Sequence, residues 1–161
     1  MHSTLDHHGL LEEDLRGAAD LALLTRLQRE APPFRQFQTW ADVLAFMGAG
    51  SSKDPGKDEV LQPILAAHAH DRDTRWRAIL LAIFRPGLVG LHARKRRWDW
   101  DRGDRWQNTV LVFLQVVARL DLAKRSTRLA QRILWETAHR LHDLYSRGWR
   151  HTCREILAPP S

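Results

Sequence analysis

The residues with the most suggestive chemistry lie in the stretch HARKRRWDWDRGDRW, residues 92–106, where cations alternate with indoles. Guanidinium groups bind phosphate oxygens and stack on bases, and indoles provide stacking surfaces for unpaired bases. The stretch is too polar for a protein core and too aromatic for an ordinary solvated loop. These residue types indicate either contact with a polyanion or a linker that packs partly on itself.

The positive charge of the sequence is concentrated in its second half. Residues 1–70 hold 6 basic and 10 acidic residues, residues 71–161 hold 19 basic and 9 acidic ones, and the net charge is +6. Only Lys95 and Lys124 in the second half are lysines, and arginine is the side chain that both pairs with phosphate and stacks. A nucleic-acid partner is therefore favoured over a basic surface that serves solubility alone.

Other chemistries find little support in the spacing of residues. The clusters His68-Ala-His70-Asp71 and His139-x-x-His142-Asp143 bring histidines close in sequence, but no cysteine or glutamate set completes a zinc pattern. The loop GAGSSKDPGK lacks the spacing of a phosphate-binding loop, and no Ser/His/Asp or Cys/His arrangement can be argued. We predict no metal, no cofactor and no enzymatic activity.

Length and composition indicate one soluble domain. The chain has 161 residues, 43% of them apolar, and no apolar run approaches the roughly 18 residues of a membrane span. The first residues lack the basic and apolar regions of a secretion signal. Cys153 is the only cysteine and has no internal disulfide partner. We predict a cytoplasmic protein without membrane contact, in an oligomeric state that the sequence leaves open.

The elements that position these residues are helices, because apolar residues recur with a period near 3.6 along the chain. We expect an all-α protein with a flexible leader at 1–9, a helical pair at 10–47, a loop at 48–58, a helical bundle at 59–150 and a frayed tail at 151–161. Pro86 is expected to break or kink its helix. The last two helices are expected at about 104–120 and 127–147.

The first of these two helices is apolar almost all the way round. Its expected core stripe comprises Trp106, Val110, Phe113, Leu114 and Val117, and further apolar residues, Leu111 among them, widen this surface. Such a helix either lies at the centre of its bundle or has a partner on its second side.

The last helix is expected to have two distinct faces. Its apolar face comprises Ala130, Ile133, Leu134, Ala138, Leu141, Leu144 and Tyr145. Its opposite face comprises Arg128, Arg132, Trp135, His139 and Ser146. An indole within a row of arginines gains nothing from water, so Trp135 is expected either to lie beneath the amino-terminal helices or to stack on a ligand.

A pattern over about residues 59–150 points to a family. An acidic residue begins a helix, and a glutamine and regularly spaced apolar residues follow it: Asp104, Gln107, Val110, Leu111, Phe113, Leu114 and Val117. The turn Arg119-Leu120-Asp121 comes next, and the pair Arg132-Ile133 lies in the following helix. This pattern resembles region 2 of bacterial RNA polymerase sigma factors, especially the small extracytoplasmic-function type.

The resemblance implies two binding surfaces. Asp104, Gln107 and Leu111 would contact the clamp helices of the largest polymerase subunit. The segment 124–140 would face the promoter's −10 element and hold its nontemplate strand by stacking and phosphate contacts. The residues implied for this role are Lys124, Arg125, Arg128, Arg132, Trp135 and His139.

In the same frame, the stretch 92–106 would act as a flexible strap between two helices. Its phosphate and stacking contacts would come from Arg94, Lys95, Arg96, Arg97, Trp98, Trp100 and Arg102. Asp99, Asp101 and Asp104 favour the alternative, in which these carboxylates pair locally with the arginines.

Two features depart from the family's pattern. Ala130 and Gln131 replace the aromatic-tryptophan pair that usually precedes Arg-Ile, and no helix-turn-helix follows the bundle in this sequence. We predict a sigma-like protein that binds RNA polymerase core and promoter DNA in transcription initiation or its regulation. The alternatives are a helical nucleic-acid-binding module independent of polymerase and a protein-interaction scaffold that kept a sigma-like fold.

Overall fold

The structure is a computed structural model that describes residues 15–51, 53–94, 102–124 and 127–157. These residues form helices joined by short turns, with no strand among them, so the predicted all-α fold is confirmed. The helices are α1 (Ala18–Glu30), a 3₁₀ helix (Pro32–Gln36), α2 (Trp40–Gly48), α3 (Pro55–His70), α4 (Arg75–Arg94), α5 (Arg102–Ala118) and α6 (Leu129–Leu157).

The described residues belong to two compact units. The first unit falls within Met1–Pro86 and Asp121–Gln131, and the second falls within Gly87–Leu120 and Arg132–Ser161. Each unit buries apolar side chains of its own. Phe34, Leu61 and Ile79 are fully buried in the first unit, and Leu88 and Phe113 are fully buried in the second.

Two tryptophans organise the core of the first unit. Trp40 and Trp76 are almost completely buried, and their rings meet edge to face at 6.4 Å between centroids. The indole N–H of Trp40 donates a hydrogen bond to the backbone carbonyl of Asp20 at 2.7 Å. This bond satisfies the one polar group of a buried indole, so the ring adds apolar burial without an unpaired donor.

A carboxylate at the end of α3 joins three helices of the first unit. The Oδ2 atom of Asp71 accepts a hydrogen bond from Arg26 Nη1 at 2.6 Å and another from the Trp76 indole N–H at 3.0 Å. The Arg26 guanidinium also lies 5.7 Å from the centre of the Trp76 ring. The hydrogen bond from Arg26, with that from Trp76, lowers the pKa of the Asp71 carboxyl below its ordinary value.

A break at Pro86, one of the two predicted effects of this proline, does not occur, because α4 runs continuously from Arg75 to Arg94. Phe84 before the proline and Leu88 after it are buried, and this burial favours a continuous helix over a break at one missing N–H. The next residue, Gly87, lies close to Leu134, since an added Cβ would come within 2.7 Å of its side chain.

Several helix ends also differ from the predicted ones. The second part of the predicted helical pair at 10–47 divides into the 3₁₀ helix and α2, and Thr39 and Asp42 form a capping box at the start of α2. Helix α3 begins at Pro55, inside the predicted loop, where the Asp54 side chain accepts the Gly56 N–H at 2.9 Å. Helix α6 continues to Leu157, through residues predicted as a frayed tail. The predicted leader at 1–9 lies outside the described residues.

Candidate nucleic-acid interface

The candidate interface is the outer face of α6, and its position follows from the residues that α6 buries. Ile133, Thr137, Leu141 and Tyr145 recur every four residues and are buried. The Thr137 hydroxyl donates to the Ile133 carbonyl at 2.7 Å, so this polar residue can be buried with its hydrogen bond made inside the helix. The opposite side of α6 is therefore the one that faces solvent.

The expected apolar face of α6 was partly wrong. Leu144, assigned to the core, is 45% exposed, and Leu134 and Ala138 are only half-buried. The buried stripe is rotated toward Thr137. The sequence pattern does not mark Thr137 as a core residue, because threonine is polar and its hydroxyl gains a hydrogen-bond acceptor, the Ile133 carbonyl, only once the helix has formed.

Trp135 is the most prominent residue of the outer face, with 66% of its surface exposed. Its ring stacks on the His139 ring, with centroids 5.3 Å apart and planes within 2° of parallel. His139 Nε2 lies 3.7 Å from Asp143 Oδ2, a contact that is ionic only when the imidazole is protonated. The stack holds the indole in place while much of its surface remains open to solvent.

A half-buried arginine lies on the same face, one turn before the indole. Arg132 Nε contacts Glu136 Oε1 at 3.3 Å, and each of these side chains is 28% exposed. At about 100° per residue, Arg132, Trp135 and His139 fall within roughly one sixth of the helix circumference. The hydrogen bond of this pair is donated by the Nε atom of the guanidinium.

The cations expected just before α6 belong to the first unit. Arg128 precedes the helix and does not lie on its outer face, which corrects its expected position. Its backbone φ is 53°, and its side chain is exposed. Lys124 is also exposed, with its Nζ atom 4.0 Å from Asp121 Oδ2. Arg125 lies outside the described residues.

The two ends of the arginine–tryptophan stretch are structured. Arg94 ends α4 as an exposed residue, and its Nε donates to the Gly90 carbonyl at 3.4 Å. His92 is buried and meets the Trp106 ring edge to face at 5.6 Å. Arg96, Arg97, Trp98 and Trp100 lie outside the described residues, so the choice between a strap and a packed linker stays a prediction there.

The residues expected to contact polymerase lie along one side of α5. Asp104 and Gln107 are exposed, and Leu111 is 55% exposed although it is a leucine. The buried face of α5 instead includes Thr109, whose hydroxyl donates to the Arg105 carbonyl at 2.8 Å. Of the expected core stripe, Phe113 and Val117 are buried, whereas Trp106, Val110 and Leu114 are half-buried.

The described residues contain no group of three or more His, Cys, Asp or Glu side chains that could hold a metal ion. None of the described helices combines the length and the apolar character needed to cross a membrane.

No protein-family model, curated protein or solved structure matches this chain.

Proposed function

We propose that the protein is a sigma-like DNA-binding protein that holds an unpaired DNA strand on the outer face of α6. The observation that carries this proposal is the exposed indole of Trp135, which lies on a helix face together with Arg132 and His139. Unpaired bases stack on aromatic rings, and guanidinium groups contact the phosphates between them.

The geometry favours an unpaired strand over a duplex. The exposed surface of the Trp135 ring can be covered by a base only when that base has left the helical stack. A duplex presents its phosphates to arginines but keeps its base faces covered, so it would leave this indole in water. The strand preference therefore reports on Trp135, and the salt dependence of binding reports on the arginines.

The experiment compares a fluorescein-labelled single strand of about 20 nucleotides with its duplex in anisotropy titrations at two salt concentrations. We expect the single strand to bind about tenfold or more tightly than the duplex, with both affinities falling as salt rises. Equal affinity for the two forms would argue against stacking on Trp135. An absence of binding at low salt would leave the interaction scaffold as the better explanation.

A second function, contact with RNA polymerase core, is favoured by the exposure of Leu111 beside Gln107 and Asp104 on α5. A single exposed leucine is common on protein surfaces, so the support for this contact is that Asp104, Gln107 and Leu111 match the polymerase-contacting positions of the sigma pattern. The resemblance to sigma factors supplies the identity of this partner, and the contact would make the protein part of transcription initiation or its regulation.

Replacing Asp104, Gln107 and Leu111 together with alanine is expected to reduce capture of polymerase core about tenfold or more, because a few central residues carry most of the energy of such surfaces. The measurement is a pull-down with purified core polymerase and the full chain. The control is Arg119→Ala, which alters an exposed residue just after the end of α5. This variant should leave capture of polymerase core unchanged. Undiminished capture by the triple variant would contradict the assignment.

A further inference from the structure

A second exposed tryptophan lies further along α6. Trp149 is 63% exposed, nearly as much as Trp135, and none of the ring contacts among the described residues involves it. It is the next member of the series of buried residues that recurs every four positions and ends at Tyr145. Each step of four residues turns this series by about 40° around the helix. By Trp149 the series has left the core, and packing in the second unit leaves this indole in solvent.

The two exposed tryptophans lie on one side of α6. Trp149 follows Trp135 by 14 residues. At about 100° and 1.5 Å per residue, the two indoles are about 40° apart around the helix and about 21 Å apart along it. His142, which is also exposed, lies midway between them in sequence and in angle. All three residues belong to the second unit, so one helix of one unit carries the whole line.

A row of arginines runs parallel to this line. Arg132 and Arg150 are 18 residues apart, which is about five full turns, so they take the same angular position beside the tryptophans. Arg150 is exposed. Over residues 132–154 there are five arginines and two carboxylates, those of Glu136 and Asp143. This part of α6 therefore combines aromatic rings with an excess of positive charge, as a surface for an unpaired strand requires.

We propose that Trp149 is a second stacking platform for the same DNA strand, which runs along α6 from Trp135 to Trp149. This proposal rests on the proposed function, because it concerns the strand that stacks on Trp135. Stacked nucleotides are about 3.4 Å apart, so the gap of about 21 Å corresponds to at most about six nucleotide steps. Once one base is stacked on Trp135, the second contact forms within the complex, where the effective concentration of the next bases is high.

The test compares labelled oligo-dT strands of about three and about 12 nucleotides, of which only the longer can reach both indoles. Trp149→Ala is expected to weaken binding of the longer strand by about five- to 150-fold, the loss that corresponds to one stacked base. Binding of the shorter strand should weaken by no more than about threefold, since that strand can still stack on Trp135. Trp149→Phe keeps an aromatic ring and should bind the longer strand within about threefold of the wild type. Anisotropy titrations measure these affinities, and circular dichroism checks that each variant is folded.

Ile156→Ala is the matched control for this variant. Ile156 lies seven residues after Trp149, on the same side of α6, and is 75% exposed. It has no ring to offer a base, so its truncation should change affinity for the longer strand less than about twofold. Unchanged binding of the longer strand by Trp149→Ala, equal losses in the two variants, or equal losses for the two strand lengths would each overturn the second platform and leave strand binding intact. A wild-type chain that binds neither strand would overturn both proposals.

Discussion

Replacing Trp135 with alanine is expected to weaken binding of a single DNA strand by about five- to 150-fold. This range corresponds to the roughly 1–3 kcal/mol that stacking of one base on an aromatic side chain contributes. The indole is 66% exposed, so its removal should leave the free energy of unfolding almost unchanged. Anisotropy titration for affinity and urea denaturation for stability test the two parts separately.

Leu144→Ala is the matched control for this variant. Leu144 is a large apolar residue on the same helix and is 45% exposed, but it lies on the side of α6 away from Trp135. Its truncation should change affinity less than twofold, since it offers no ring to a base. Equal losses in the two variants would mean that general damage to α6, and not stacking on Trp135, weakens binding.

Asp71→Ala is expected to lower the free energy of unfolding by about 2–4 kcal/mol. The change removes a charge-assisted hydrogen bond to the partly exposed Arg26 and leaves the N–H of the fully buried Trp76 without its acceptor. The loss at Trp76 is the larger one, because a buried donor without an acceptor costs its full desolvation. Glu30→Ala is the control, because Glu30 contacts the same arginine from an exposed position and should contribute less than about 0.5 kcal/mol. Urea denaturation followed by far-UV circular dichroism measures both.

The same carboxylate is expected to make stability sensitive to acid. Its pKa in the folded protein is lowered below the ordinary value of 3.8, so the unfolded chain takes up the proton first as pH falls. The stabilisation is therefore complete well above pH 3.8 and is lost as pH drops through the lower folded pKa. The free energy of unfolding of Asp71→Asn should decline less between about pH 5 and pH 2 than that of the wild type. Parallel declines would contradict this role.

The sequence predicts correctly which residues are exposed where helical periodicity alone decides their position. Trp135 and His139 were assigned to the outer face of the last helix from their spacing, and both are exposed there. A helix face is a local property, because every residue on it is set by the same 100° step. The same reasoning identified Leu111 as part of a second apolar side of α5, and that leucine is exposed.

Features that depend on distant contacts could not be predicted in this way. The helix through Pro86 persists with buried residues on both sides of the proline, although local rules favoured a break. The turn at Arg128 depends on Asp58, which lies 70 residues earlier in the chain. Arg128 was expected on the helix face because its spacing fits, but the helix begins one residue later. Contacts between residues far apart in the chain stabilise these conformations, and such contacts cannot be predicted from the local pattern of a single sequence.

Photocrosslinking tests the central claim most directly, which is that an unpaired strand stacks on Trp135. A single strand that carries iododeoxyuridine forms covalent adducts with aromatic side chains stacked on the base, and trypsin releases residues 133–140, ILWETAHR, as a peptide whose only tryptophan is Trp135. We predict that the main adduct lies on Trp135 within this peptide and disappears in high salt. Adducts confined to other peptides, or none at low salt, would contradict the proposal.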